Sequence, residues 1–148
     1  MRILIDADGC PVVDATIQIA KAHGIECIII CDSAHHFARQ GARTITVSKG
    51  SDSVDFALVN MLQPGDIVVT QDYGLAAMAL ARQADVISQD GMVYNEGNID
   101  GLLMQRHSAR KIRMAGGRLS GQAKRTKQQD RGFEQSLGEL VASRKAAD

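Results

Sequence analysis

The sequence predicts an α/β fold: three layers, α/β/α, around a mostly parallel sheet, with a basic helical extension at the C-terminal end. Three observations predict it. Short apolar runs alternate with segments of helical spacing from residue 2 to residue 88, the rhythm of units that pair strands in parallel. One run, Glu26–Cys31, is almost continuously apolar, as a strand covered on both faces must be. Acidic clusters recur where runs end or helices begin: Asp6-Ala7-Asp8, Asp52-x-x-Asp55 and Asp72, with Asp32 a weaker fourth.

The elements follow in order. Arg2–Ile5 is a short strand, and Pro11 opens a helix that runs to His23, with Gly24 as its terminating residue. Val12, Val13, Thr16, Ile17, Ile19 and Ala20 give that helix a broad apolar stripe. After Glu26–Cys31 comes Thr44–Val47, a β-branched strand, then a helix over Asp52–Leu62 from the spacing of Val54, Ala57, Leu58 and Met61. Pro64-Gly65 turns the chain into a strand over Asp66–Thr70, Leu75–Arg82 is an Ala-rich helix, and Asp85–Ser88 is a last short strand. Asp90-Gly91 turns into Met92–Tyr94 as a small hairpin, Asn98 caps a helix reaching Lys111, and Gln128–Ser143 closes the chain as a helix after a Gly-rich loop over Ala115–Gly121. One domain over residues 1–148 is expected, an α/β body over 1–112 and the basic loop and closing helix over 113–148.

Composition bounds the function. With 45% hydrophobic but 3% aromatic residues and no Trp, 148 residues supply an aliphatic core of ordinary size. No run approaches the ~20 apolar residues that span a bilayer. Residues 1–5 lack a signal pattern, and three cysteines in no paired spacing suit a reducing compartment, so a cytoplasmic location and no membrane partner are expected. The zero net charge hides an asymmetry: residues 1–105 carry 6 Lys/Arg against 13 Asp/Glu, and residues 106–148 carry 11 against 4. Taken alone, the basic run Arg110–Arg131 is better read as a solvated tail balancing the acidic body, although such a split also suits a polyanionic partner.

Each carboxylate has a structural explanation beside a chemical one. Asp8 can cap or make a side-chain turn before Pro11, which accounts for one member of the first pair and not both. For Asp52, capping is the better reading taken alone, and Asp55 suits the helix dipole while lying close enough to Asp52 to share a cation. For Asp72 capping and function weigh equally, and Asp66, which precedes its strand, is a turn residue at the other end of the sheet. Carboxylates gathered at the carboxyl ends of parallel strands converge on one crevice, and oxygen donors of that kind suit Mg²⁺ or Mn²⁺.

Other candidates are weaker. Adjacent His35 and His36 diverge by about 100° on a helix and chelate poorly. The acidic surroundings of Cys10 disfavour its thiolate, and Cys27 and Cys31 are core residues of one strand. There is no Gly-x-x-x-x-Gly-Lys phosphate loop and no Ser–His or Cys–His relay.

Asp6-Ala7-Asp8-Gly9-Cys10-Pro11-Val12 resembles the opening motif of the YaiI/YqxD family, small bacterial proteins of uncharacterised function, with Gly9 where that family often has Ala. The resemblance continues through Gly50–Asp55, Pro64–Asp72, Leu75-Ala76, Gly91…Tyr94, Asn98-Ile99 and the basic Gly-rich tail, and so covers nearly the whole chain. The family is grouped with PIN-like and NYN-like nuclease domains, and Lys49-Gly50-Ser51-Asp52 resembles the lysine-glycine-x-aspartate turn of the latter. The resemblance implies that Asp6, Asp55 and Asp72 are catalytic ligands of Mg²⁺ or Mn²⁺, with Asp8 and Asp52 as supporting members. The function expected is therefore metal-dependent phosphodiester hydrolysis of nucleic acid, RNA before DNA, with a homo-oligomer left open. Ser51 and Thr70 would orient phosphate oxygens or waters, and Arg113, Arg118, Lys124, Arg125 and Lys127 would hold the backbone by charge. With so few aromatics, no base-stacking platform is expected. The alternatives are a non-catalytic RNA-binding module on the same fold and, less favoured, a haloacid-dehalogenase-type phosphatase. The phosphatase reading takes Asp6-x-Asp8-Gly9 as nucleophile motif and Gly65-Asp66 as a faint last motif.

Overall fold

A computed structural model describes residues 1–33, 38–50, 52–116 and 124–147, without the side chains of 107–110 and 113. Its elements are β1 (Arg2–Asp6), α1 (Val13–Ala22), β2 (Glu26–Asp32), β3 (Arg43–Val47), α2 (Ser53–Met61), β4 (Ile67–Val69), α3 (Tyr73–Ala81), β5 (Asp85–Ile87), β6 (Val93–Tyr94), α4 (Glu96–Met114) and α5 (Lys127–Ala147). The sheet runs β3-β2-β1-β4-β5-β6; β1 to β5 are parallel and β6 pairs antiparallel with β5, as the hairpin reading anticipates. His35 and His36 lie outside the described residues, as does most of the Gly-rich loop.

Strand alternation divides the core into two. Ile3, Ile5, Cys27, Ile29, Ile67 and Val69 face α1 and α5, whereas Leu4, Ile28, Ile30, Val68 and Val86 face α2, α3 and α4. The closing helix is thus part of a core layer. Phe133, Leu137 and Val141, four residues apart on α5, are fully buried beside α1. Arg144 pairs with Asp85 at 2.6 Å, and Lys145 donates to the His23 carbonyl at 2.7 Å, fastening the far end of that helix.

Several helix ends differ from expectation. Pro11 lies in a turn and α1 begins at Val13 with no side-chain cap; Thr16 bonds back to the Val12 carbonyl instead. The other end is as expected: Gly24 has φ +66°, and the Gly24 and Ile25 amides return to the carbonyls of Lys21 and Ala20. Asn95, not Asn98, caps α4, for each of the two side chains accepts the other's amide at 3.0 Å. A Thr126–Gln129 capping box starts α5, the Gln129 amide donating to the Thr126 hydroxyl at 3.2 Å and the Thr126 amide to Gln129 Oε1 at 2.8 Å.

Candidate functional site

The sheet order reverses direction between β1 and β4, and in open α/β sheets the crevice beyond the carboxyl ends at such a point is where ligands bind. Alternation then decides which side chains reach it. Asp6, Asp32 and Thr70 continue the rows of Leu4, Ile30 and Val68, so each emerges on the face shared with α2 and α3. The result is a concavity of about 220 Å³ lined by Asp6, Asp8, Asp32, Gly50, Asp52, Val54, Asp55 and Asp72. All five carboxylates expected to gather there do line it.

Their partners differ. The fully buried Thr70 donates its hydroxyl to Asp6 Oδ2 at 2.7 Å and accepts the Asp72 amide at 3.0 Å, so it positions two carboxylates and offers no surface to a substrate. Of the two structural readings of Asp8, a cap or a side-chain turn, the cap does not form: α1 has no side-chain cap, and Asp8 Oδ2 accepts the Asp32 amide at 3.1 Å, tying the loop after β1 to the end of β2. Asp52 caps nothing either, entering α2 in the left-handed region at φ +65°. Asp72 does cap α3, accepting the Leu75 amide at 3.1 Å, and its Oδ1 also meets the Arg106 guanidinium from α4 at 3.4 Å.

The electrostatics follow from the crowding. Desolvation, with Asp72, Asp6 and Asp52 nearby, raises the Asp55 carboxyl to about 6, partly offset by Arg106. Asp6 is raised as well, chiefly by burial and then by Asp72 and Asp8, against the lowering effect of the Thr70 hydrogen bond. Burial pushes the Cys10 thiol up to about 11 and the Cys27 thiol up to about 12, so neither is a thiolate nucleophile near neutrality. Among the described residues no three His, Cys, Asp or Glu side chains stand close enough to hold a metal ion as placed. The donor chemistry suits a hard cation; the spacing is open.

The basic residues divide differently from expectation. Arg125, expected on a nucleic-acid backbone, is committed inside the protein: it bonds Asp130 at 2.6 Å, Asp90 at 2.9 Å and the Gln89 carbonyl at 2.6 Å, docking the start of α5 on the loop after β5. Lys124 and Lys127 are exposed, Ser51 and Arg118 lie outside the described residues, and Arg113 sits in α4 with its side chain outside them. Asp66 is buried at the opposite end of the strands, where it accepts from Arg2 at 2.6 Å and from the Gln63 amide at 2.9 Å. That placement removes it from any phosphatase motif with Asp6. Sequence reasoning missed Arg106 and Phe56. No local signal reveals Arg106, which reaches Asp72 across 34 residues of sequence, whereas Phe56 stands four residues after Asp52 on α2.

A family model described as "Uncharacterized BCR, YaiI/YqxD family" matches residues 4–143. The chain belongs to the YaiI/YqxD family. Curated relatives carry the name UPF0178 protein. That of Exiguobacterium sibiricum is 56% identical over 144 residues, 97% of this chain and 99% of the relative. That of Ruminiclostridium cellulolyticum is 51% identical over 137 residues, covering 93% and 90%, and that of Natranaerobius thermophilus 42% identical over 147 residues, covering 99% and 100%. No solved structure matches. The YaiI/YqxD assignment therefore rests on whole-length similarity, and the family description attaches no activity to it. Among the described residues no helix is long and apolar enough to cross a membrane.

Proposed function

We propose that this YaiI/YqxD protein is a divalent-metal-dependent phosphodiesterase acting on nucleic acid, RNA before DNA, on a PIN-like fold. The observation that carries the proposal is the convergence of Asp6, Asp8, Asp52, Asp55 and Asp72 on one concavity at the switch point of the sheet. Asp6, Asp55 and Asp72 are the direct ligands, with Asp8 and Asp52 acting directly or through water. Bound there, Mg²⁺ or Mn²⁺ would supply an acidified water and stabilise charge on the phosphate. The protein's own contribution is positional. Thr70 fixes Asp6 relative to the start of α3, the Asp8–Asp32 bond fixes the loop after β1, and the Asp72 cap fixes the third carboxylate. In the hydrolysis itself, water oxygen bonds to phosphorus, the ester P–O bond breaks, and the departing oxygen leaves with a proton.

The open spacing of the carboxylates favours a second reading, a nucleic-acid-binding module without turnover. Calorimetric titration with Mn²⁺, alongside incubation with labelled RNA and DNA, separates the two. Metal binding that is lost in Asp72→Asn, with cleavage by the wild type, supports the enzyme; cleavage and metal binding unchanged in both Asp6→Ala and Asp72→Ala sinks it. Salt-sensitive RNA binding that survives chelator, without cleavage, favours the module.

A further inference from the structure

Beside the acidic concavity lies a second one, of about 300 Å³, lined by Asp52, Asp55, Phe56, Asp72, Gly74, Met78 and Arg106. The two share three carboxylates, so a ligand held at one reaches directly into the other. Its chemistry is different. Phe56 is 61% exposed in a protein with three Phe, two Tyr and no Trp, while Phe133 and Tyr94 are buried in the core. An aromatic ring left in solvent forgoes the burial that such rings ordinarily supply. The half-buried Met78 offers a polarizable thioether to the same space. Arg106 stands at the boundary on Asp72, and Gly74 leaves the room it occupies: a Cβ there would lie 3.3 Å from both Arg106 Nη1 and Asp72 Oδ1.

We infer that this second concavity receives one unstacked nucleobase of a single-stranded nucleic acid, its face against Phe56, with the adjoining phosphate directed at the carboxylates. The inference rests on the phosphodiesterase reading and adds to it the substrate class: unpaired strands, which present a base face to a side chain without the cost of unpairing. A flat aromatic is sequence-tolerant, because every base has a π-face. Arg106 supplies the cation for the same ligand. Its pair with Asp72 is long, at 3.4 Å, and both side chains are partly exposed, so it exchanges readily for a phosphate. The inference runs against the expectation, drawn from the scarcity of aromatics, of no base-stacking platform.

The chain's lack of Trp gives a direct test. Phe56→Trp creates a single-Trp protein whose emission should be quenched on titration with a single-stranded hexa-adenylate, and not with a blunt GC-rich duplex long enough to stay paired. By fluorescence anisotropy with the labelled hexamer, Phe56→Ala should bind about tenfold more weakly than wild type and Phe56→Tyr should restore binding. Quenching without any Mn²⁺-dependent cleavage leaves the base site standing and removes the hydrolytic reading. Cleavage by the wild type with Phe56→Ala unchanged in both KM and hexamer affinity removes the base site and leaves the hydrolysis. No hexamer binding by wild type, or quenching equal for single strand and duplex, overturns the inference; thermal melts of each variant exclude misfolding as the cause.

Discussion

The Thr70 hydroxyl lies 2.7 Å from Asp6 Oδ2 and is also the acceptor of the Asp72 amide, so one buried group sets the relation between the ends of β1 and β4. Replacing it by the isosteric valine removes both bonds. Asp6 then loses the contact that lowers its pKa and Asp72 loses its amide's acceptor. Thr70→Val should cost about 2 kcal/mol in denaturant unfolding, because two polar groups are left without their partner. Thr70→Ser should keep most of that stability. Equal stability of Val and Ser variants would show that the hydroxyl carries no part of the geometry.

Asp55 predicts a pH dependence with a definite sign. Its folded-state pKa, about 6, is above the ordinary carboxylate value, so the fold favours the neutral form and is burdened by the charged one. The burden is absent below about 4, grows as pH rises toward 6 and is complete above it. Asp55→Asn should therefore raise the midpoint temperature at pH 7.5 and lose that advantage at pH 4. The gain should be modest, about 1 kcal/mol, since the side chain is only partly buried and solvent screens it. Millimolar Mn²⁺ should relieve the same strain in the wild type and do little for the variant.

The closing helix gives a prediction about the fold. Phe133 is fully buried between α5 and the sheet, so Phe133→Ala should destabilise by about 3–5 kcal/mol. Gly91 approaches the same helix so closely that a Cβ would stand 2.6 Å from the Gly132 carbonyl oxygen, and its φ of +92° is itself unsuited to a side chain. Gly91→Ala should displace α5 and destabilise through backbone strain. If urea unfolding of both variants matches the wild type, α5 does not belong to the cooperative unit.

What was legible in the sequence was what local patterning dictates. Alternating periods of two and 3.6 residues gave every strand and helix to within a few residues, and the same parity brings Asp6 and Thr70 to one face. Capping was legible only in part. Asp72 caps as its position suggests, but Asp8 and Asp52, equally plausible by composition, are held by β2 and by a left-handed backbone turn. At Arg125 the basic segment misled, because charge density says nothing about partners: this residue belongs to Asp90, Asp130 and a carbonyl, contacts fixed by tertiary packing. Arg106 was invisible for the same reason, since nothing near it in sequence points toward Asp72.

The raised carboxyl of Asp55 also makes metal binding proton-linked. A cation needs the ionised form, so binding must expel whatever proton Asp55 holds. At pH 6, near its titration midpoint, Mn²⁺ binding should release about half a proton from this group, and at pH 8 almost none. Calorimetry in two buffers of different ionisation enthalpy measures that number directly. Asp6, raised in the same direction, adds to the release. Asp55→Asn should abolish the part centred near 6 while leaving the contribution of Asp6. A titration with no buffer dependence at pH 6 would place the cation away from Asp55.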